Sequence, residues 1–563
     1  MAWRWTLRVT PTLLCCAAAL ARPPFHVTHY GLTLRVDTTA KALTGHVAIR
    51  ALAGRDGVSQ LALDLADALT VDSVMVQGSV VPFTRPANQL TVVLPHRVGR
   101  GAPIDLTVAY HGHPLGPGFS FDSRDGIPTM ASYGLPYSAK DWWPCLDTPA
   151  DKADSADIVV TVPRPLVVAS NGVLVTDRAN RDGSRTFAWR VRYPIYADVI
   201  SLAIAHYATF TSYYHMARGD SLPLTFYVFP RDLERAQRDF AVLPEMMRSH
   251  VAHFGDYPFG KEKYGIAEVT IHSFREHQTL PSYGEHLITG DHRNDRILAH
   301  ELAHQWFGDL VSVRNWSHVW LNEGFATYAY ALWQEQRGGR EAYRAAMAQA
   351  DRADFAGSIY VSDSTDVAAM FTSTTFAKAS WVLHMLRHVM GDAAFFAALR
   401  DYLHAHAYRD ATTADFQRAC ERRYGRSLTW FFREWIYGTA RPAYAVEWAA
   451  AADTVTLTVR QQQAGAPFTM PIDVHVRTAR GDSGYVIWDS LETQHFVLRA
   501  PGGPLAVTLD DDGWILKRLA PASEGLMYVH PGHQLDLGAP FAAAGDRSSP
   551  CRRHSSQGGR VSS

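Results

Sequence analysis

Cysteine is scarce in this chain, with five in 563 residues. So few exclude a disulfide scaffold, and none is spaced as a metal site. Once a leader carrying Cys15 and Cys16 is removed, Cys145, Cys420 and Cys551 allow at most one pair. An excess of charge is also missing. The 54 Lys and Arg stand against 55 Asp and Glu, for a formal net charge of −1, so nothing points to nucleic acid or an anionic membrane surface as partner. Beyond the first 21 residues no run is long and apolar enough to cross a bilayer, and there is no internal repeat. What is present is ordinary for folded protein: 47% hydrophobic and 19% charged residues, with 15 Trp to fill cores. The length exceeds what one core can serve, so two to four domains are expected.

The N-terminus reads as a secretory leader. Arg4 and Arg8 supply positive charge, an apolar stretch covers residues 13–20, and Ala19-Leu20-Ala21 fits a cleavage site, which places the mature start near Arg22. The stretch is shorter than the roughly 20 residues of a membrane anchor, and bulky Leu14 before Cys15 argues against lipid attachment. Export to a bacterial periplasm or outside the cell is expected, and the sequence does not choose between them.

Residues 22–213 alternate with period two, as in Asp157-Ile158-Val159-Val160-Thr161-Val162, with turns at Asn171-Gly172 and Asp182-Gly183. They are expected to form a β domain. Residues 214–441 change to period 3.6, which predicts helices over 231–254, 293–307, 323–337, 378–390, 413–424 and 430–437, with one strand near 264–271. Alternation returns over 442–522, as in Thr454-Val455-Thr456-Leu457-Thr458-Val459, and predicts a small β-sandwich. Residues 523–563 form a tail, partly disordered, its end rich in Ser, Gly and Arg.

The chemistry lies in His300-Glu301-Leu302-Ala303-His304. On a helix, positions i and i+4 share a face, so both imidazoles reach one ion. Imidazole suits zinc, which prefers four ligands. Glu323, 19 residues after His304 and near the start of the next helix, supplies the third. Two His, one Glu and a water make an open catalytic site with one Zn2+ per chain. A His pair at this spacing arises about once by chance in so His-rich a chain, but the two carboxylates reduce that to a few in a thousand. Glu301 faces away from His304 beside the ion, placed to take a proton from water and pass it to a leaving amine. A third His at the longer spacing of another zinc-peptidase class is absent, since Phe307 and Leu310 stand there.

His300-Glu301-Leu302-Ala303-His304-Gln305-Trp306-Phe307-Gly308-Asp309, followed by Trp320-Leu321-Asn322-Glu323-Gly324-Phe325-Ala326-Thr327-Tyr328, resembles the aminopeptidase N family of zinc metallopeptidases. Trp142-Trp143-Pro144-Cys145-Leu146-Asp147-Thr148-Pro149 with Lys152-Ala153, Tyr257-Pro258-Phe259-Gly260-Lys261 and Trp381-Val382-Leu383-His384-Met385-Leu386 extend the likeness over residues 25–520. The resemblance implies a multidomain α+β fold: an N-terminal β-sheet saddle, a thermolysin-like, mostly helical catalytic domain and a small C-terminal β-sandwich. The large C-terminal helical domain of longer members has no counterpart here.

Three departures stand out. The family's Gly-Ala-Met-Glu-Asn aligns with Ser273-Phe274-Arg275-Glu276-His277, so Glu276 matches the glutamate that holds the substrate's free amine, while Ser273 replaces a glycine. The family tyrosine over the metal, an oxyanion donor, is Phe376 in Phe376-Ala377-Lys378-Ala379-Ser380. Tyr133 and Leu135 replace the Gln and Glu that many members carry near the first side-chain pocket. The favoured expectation is an aminopeptidase acting on peptides with a free N-terminus. The competitors are a zinc-binding pseudo-peptidase with low turnover, motivated by Phe376, and a peptidase of internal bonds, motivated by the altered 273–275 segment. Side-chain preference, physiological substrate and oligomeric state stay open.

Overall fold

The period-two runs pair into sheets as their alternation requires. In the computed structural model, which describes residues 23–134, 136–352 and 355–519, the N-terminal region is built on an eight-stranded sheet. At its centre Phe25–Asp37 lies parallel to Ser155–Pro163 and antiparallel to Ala42–Ala53. Along Ala42–Ala53 every second residue is buried: Leu43, Gly45, Val47, Ile49, Ala51 and Ala53 face the core. Gly45 makes room for the Tyr110 ring, which a Cβ there would meet at 2.4 Å. The Tyr110 hydroxyl can then donate to the Trp142 carbonyl at 2.8 Å. Trp142, Trp143 and Cys145 are fully buried, so this tryptophan-rich motif is a packing centre.

The second region opens with Ala208–His215, which joins a five-stranded sheet with Ser221–Val228, Tyr264–Val269, Ser282–Gly284 and Phe274–Arg275. The division expected between residues 213 and 214 therefore cuts through a strand of this sheet. Six helices fall on the runs that the periodicity marked: α1 (Leu233–Phe240), α2 (Leu243–Phe254), α3 (Asp295–Ala303), α4 (Trp320–Gln349), α5 (Ala379–Met390) and α7 (Thr413–Tyr424); α6 (Asp392–Ala405), between α5 and α7, was not among them.

Several boundaries differ from expectation for identifiable reasons. The helix predicted over 231–254 is two, because Pro244 has no N–H for the Phe240 carbonyl and instead opens α2. The run expected to end at 337 continues to Gln349 through a kink at Gly338 and Gly339, the latter at φ +69°. The run expected over 293–307 ends at Ala303, because the next amides turn back three residues, Gln305 to Leu302 and Trp306 to Ala303. Before α5, residues Thr374–Lys378 form a widened, π-helical turn, and a second such turn covers Phe432–Ile436, where a plain helix was expected.

The third region packs a four-stranded sheet (Thr493–Arg499, Thr454–Gln461, Ala443–Ala451, Arg518–Leu519) on a three-stranded one (Gly481–Asp489, Met470–Thr478, Pro504–Leu509). Val455, Leu457 and Val459 of the first sheet and Ile472, Val474 and Val476 of the second are buried in its core. The chain is thus a multidomain α+β protein of the expected architecture: β-rich, then helical, then a β-sandwich. No described helix is long and apolar enough to cross a membrane. Cys145 and Cys420 are buried and unbonded. The expected leader, the 523–563 tail, Cys551 and Leu135 lie outside the described residues.

Candidate metal centre and substrate cleft

α3 carries His300 and Glu301, and His304 caps its C-terminal end. Glu323 lies in the first turn of α4, which packs against α3. The His300 and His304 Nε2 atoms are 3.0 Å apart, and Glu323 Oε2 lies 3.3 Å from the first and 3.5 Å from the second. Metal–ligand bonds of about 2.1 Å at tetrahedral angles set ligand atoms about 3.4 Å apart. The three separations therefore fit one zinc ion.

The surroundings orient the same atoms. His304 Nδ1 donates to the Phe307 carbonyl at 3.0 Å, which leaves Nε2 with its lone pair toward Glu323 and His300. The Thr327 hydroxyl sits 3.4 Å from His300 Nδ1. Burial opposes any charge here, yet Glu276 and Glu323 push His304 well above the ordinary imidazole range. His304 and His300 in turn hold Glu323 below the ordinary carboxylate range, against its burial. His300 is instead lowered to about 4 by burial and stays a neutral donor, so the attraction for a cation comes from the Glu276 and Glu323 carboxylates.

Glu301 is 1% exposed, and both of its carboxylate oxygens are sealed from solvent with no donor among the described residues. Its nearer oxygen is 4.0 Å from His300 Nε2, and it stands beside, not among, the three ligand atoms that converge. Burial raises its pKa well above the ordinary value. Glu276 is buried as well, raised for the same reason, and lines one cleft of about 490 Å³ with His300, His304 and Glu323. The five carboxylates and imidazoles singled out in the sequence therefore meet in one place.

The segment holding Glu276 is fixed from the N-terminal region. Asn171, at a turn legible in the sequence, donates from Nδ2 to the Gln278 carbonyl at 2.6 Å and to the Val199 carbonyl at 2.9 Å, and Gly172 N–H donates to Thr279 Oγ1 at 2.9 Å. Gln305, one residue past His304, accepts from Thr279 N–H at 2.8 Å and donates to Asp309 at 2.8 Å. Lys152 reaches across to the Leu310 carbonyl at 2.9 Å and also donates to the Asp309 carbonyl. These side chains lock the turn after His304 to both regions.

Phe376 does face the cleft. Its ring stacks on His300, 5.9 Å between centroids and 16° between planes, carried there by the π-helical turn before α5. Three residues that the sequence reading quoted without assigning a role also stand at the site. Thr327 touches the far side of His300, Phe274 meets the His300 ring edge-on at 5.9 Å, and Arg275 lines the cleft beside Glu276. Arg275 was available as a signal, since a cation stands where the resembling motif has methionine.

Two imidazoles on one helix, a carboxylate from the next and an unpaired buried glutamate beside them define a single-zinc peptidase centre. Residues 26–196 match the Peptidase M1 N-terminal domain and residues 267–435 the Peptidase family M1 domain. The chain belongs to this family, the zinc metallopeptidases of aminopeptidase N type. Aminopeptidase M1 of Arabidopsis thaliana is 26% identical over 335 residues, 55% of this chain and 37% of that one. An M1 zinc metallopeptidase from Deinococcus radiodurans superposes with a TM-score of 0.64 at 25% identity, covering 75% of this chain and 96% of that one. An aminopeptidase A from Legionella pneumophila, solved with aspartic acid, shares the fold at a TM-score of 0.79 and 17% identity, over 89% of this chain and 60% of that one. The chain spans about a third of the length of the first curated relatives it matches.

Proposed function

We propose that this protein is a zinc aminopeptidase that removes the N-terminal residue of peptides. One observation carries the reading: a buried carboxylate outside the metal cluster, Glu276, lines the same cleft as His300, His304 and Glu323. A free ammonium pairs with such a carboxylate, and a chain anchored by its terminus presents its first peptide bond to the centre. A zinc ion held by His300, His304 and Glu323 supplies Lewis acidity to water and to the scissile carbonyl. Glu301 takes the proton of the attacking water and returns it to the departing amine.

The decisive assay is hydrolysis of aminoacyl anilides and short peptides, with zinc and with a chelator. Turnover that needs zinc, and a ladder of one-residue losses by mass spectrometry, are expected. N-acetylated peptides cleaved as fast as free ones would remove Glu276 as the anchor and favour action on internal bonds.

Phe376 supports a second reading, a zinc-binding protein of low turnover. Its ring lies on His300 where a phenol would donate to an oxyanion. Losing one such donor costs about 100- to 1,000-fold in rate. Phe376→Tyr is expected to raise kcat by up to that factor; an active wild type with no gain in the variant means another group performs the task.

Export rests on Arg4, Arg8, the 13–20 apolar stretch and Ala19-Leu20-Ala21. Sequencing the N-terminus of protein recovered from producing cells tests it, with a start near Arg22 expected.

A further inference from the structure

Among the residues lining the metal cleft, Arg275 is the one guanidinium. It is held rather than loose. Nη1 donates to Ser273 Oγ at 2.9 Å and to the Phe274 carbonyl at 2.6 Å, and the guanidinium plane lies over the Tyr133 ring, 4.4 Å from its centroid. No carboxylate lies within ion-pair distance of it among the described residues, although Glu276 is the next residue in the chain. Nε is sealed from solvent without an acceptor, and the guanidinium's hydrogen bonds among the described residues run from Nη1, which leaves Nη2 open. A positioned cation with an open donor, in a cleft whose other lining side chains are carboxylates, imidazoles, hydroxyls and apolar groups, is a recognition element for an anion.

Charge balance narrows the anion. Glu276, Glu301 and Glu323 bring three negative charges when ionised; a zinc ion and Arg275 offset them. An N-terminal residue that brings its ammonium to Glu276 and a side-chain carboxylate to Arg275 keeps that balance. One with a lysine or arginine side chain adds a second positive charge beside a guanidinium that is already fixed. A neutral side chain leaves the free donors of Arg275 without an acceptor in a cleft that the substrate closes off from water.

We infer that Arg275, clamped by Ser273, Phe274 and Tyr133, selects substrates whose N-terminal residue carries a carboxylate, aspartate or glutamate. This rests on the aminopeptidase reading for where the first residue lies. The selection is electrostatic and runs through Nη2, so a negative charge at this position inverts it.

The test has two arms on the full-length, zinc-loaded protein. In the first, kcat/KM is measured for tripeptides differing only at the first residue: Glu, Asp, Ala, Leu and Lys. A charge-assisted contact predicts that Glu or Asp exceeds Ala by about 10- to 100-fold, that Lys is the poorest, and that the Glu-to-Ala ratio collapses toward one in Arg275→Met. Arg275→Glu is expected to move the preference to Lys. In the second arm, calorimetric binding of the same tripeptides to zinc-loaded protein reads recognition without turnover, with the same order expected. If no peptide is hydrolysed, the proposed function falls, while the binding order still decides the role of Arg275. Equal binding of Glu- and Ala-headed peptides, or a ratio that survives Arg275→Met, overturns the inference. A variant that only loses thermal stability with its ratio intact does so too, and assigns Arg275 to packing on Tyr133.

Discussion

Both oxygens of Glu301 are shut away from water with no hydrogen-bond donor among the described residues, an arrangement that costs stability and has no packing rationale. Glu301→Gln keeps the shape and removes the base. It is expected to lower kcat by about 100- to 10,000-fold while zinc content by elemental analysis stays at one per chain. Glu323→Ala removes a ligand instead, so its zinc content and the rise in Tm on adding zinc should both fall. A Glu301→Gln protein that has lost its metal would show that this residue belongs to the ligand set. At this scale much was legible in the sequence. His300, Glu301, His304 and Glu323 announce themselves by residue type and spacing. Arg275 and Thr327 did not, because a guanidinium or hydroxyl means little until its neighbours are known.

The elements that aim these side chains depend on contacts between segments far apart in the chain. Asn171 satisfies the carbonyls of Gln278 and Val199, and its Oδ1 accepts from Ser201 N–H at 2.7 Å. Asn171→Ala leaves these buried backbone groups unpaired. A loss of about 1–3 kcal/mol in unfolding free energy is expected, with a fall in kcat/KM as the Glu276 segment loosens. Denaturant titration beside the peptide assay checks it; stability and activity both unchanged would separate this turn from the site. Apart from α6, the labelled helices were readable from periodicity, and 413–424 coincides with α7, whose Thr412 and Asp415 form a reciprocal cap. The misplaced ends share a cause. Pro244, the Gly338-Gly339 kink and the two π-helical turns change backbone hydrogen bonding without disturbing the apolar repeat on which the reading relied.

The molecule as a whole is joined through aromatic and imidazole contacts that no local pattern announces. His384 on α5 is buried against the third region. Its Nε2–H donates to the Gly513 carbonyl at 3.1 Å, its Nδ1 accepts from the Tyr343 hydroxyl at 2.6 Å, and Trp514 stacks on it at 4.6 Å. Burial lowers its pKa to about 3, against 6.5 for an unrestrained imidazole. The unfolded chain therefore takes up a proton as the pH falls through 6.5 while the folded chain does not. Stability from this group is complete above pH 6.5 and is lost between there and about 3, at about 1.4 kcal/mol per pH unit. Wild type is expected to lose about 2 kcal/mol more than His384→Gln between pH 6.5 and 5, measured by denaturant titration. Equal losses would mean that His384 does not set the acid sensitivity.

The ligand set was legible in the sequence, because metal ligation requires particular atoms, and His300 and His304 stand one helical repeat apart with Glu323 opening the next helix; the packing of α4 on α3 then brings Glu323 to them. Fold class followed from the two periods of the apolar residues, since a side chain's face is set by its local backbone. The cleft is a property of the tertiary structure. Glu276 reaches it because Asn171 and Gln305 clamp the segment just after it, at Gln278 and Thr279, from two regions. Phe376 reaches it because a widened turn rotates the chain before α5. Arg275 stands there without an acidic partner because the sheet places it beside Tyr133. Contacts between residues a hundred or more positions apart depend on how whole elements pack, and residue order along the chain does not encode that directly.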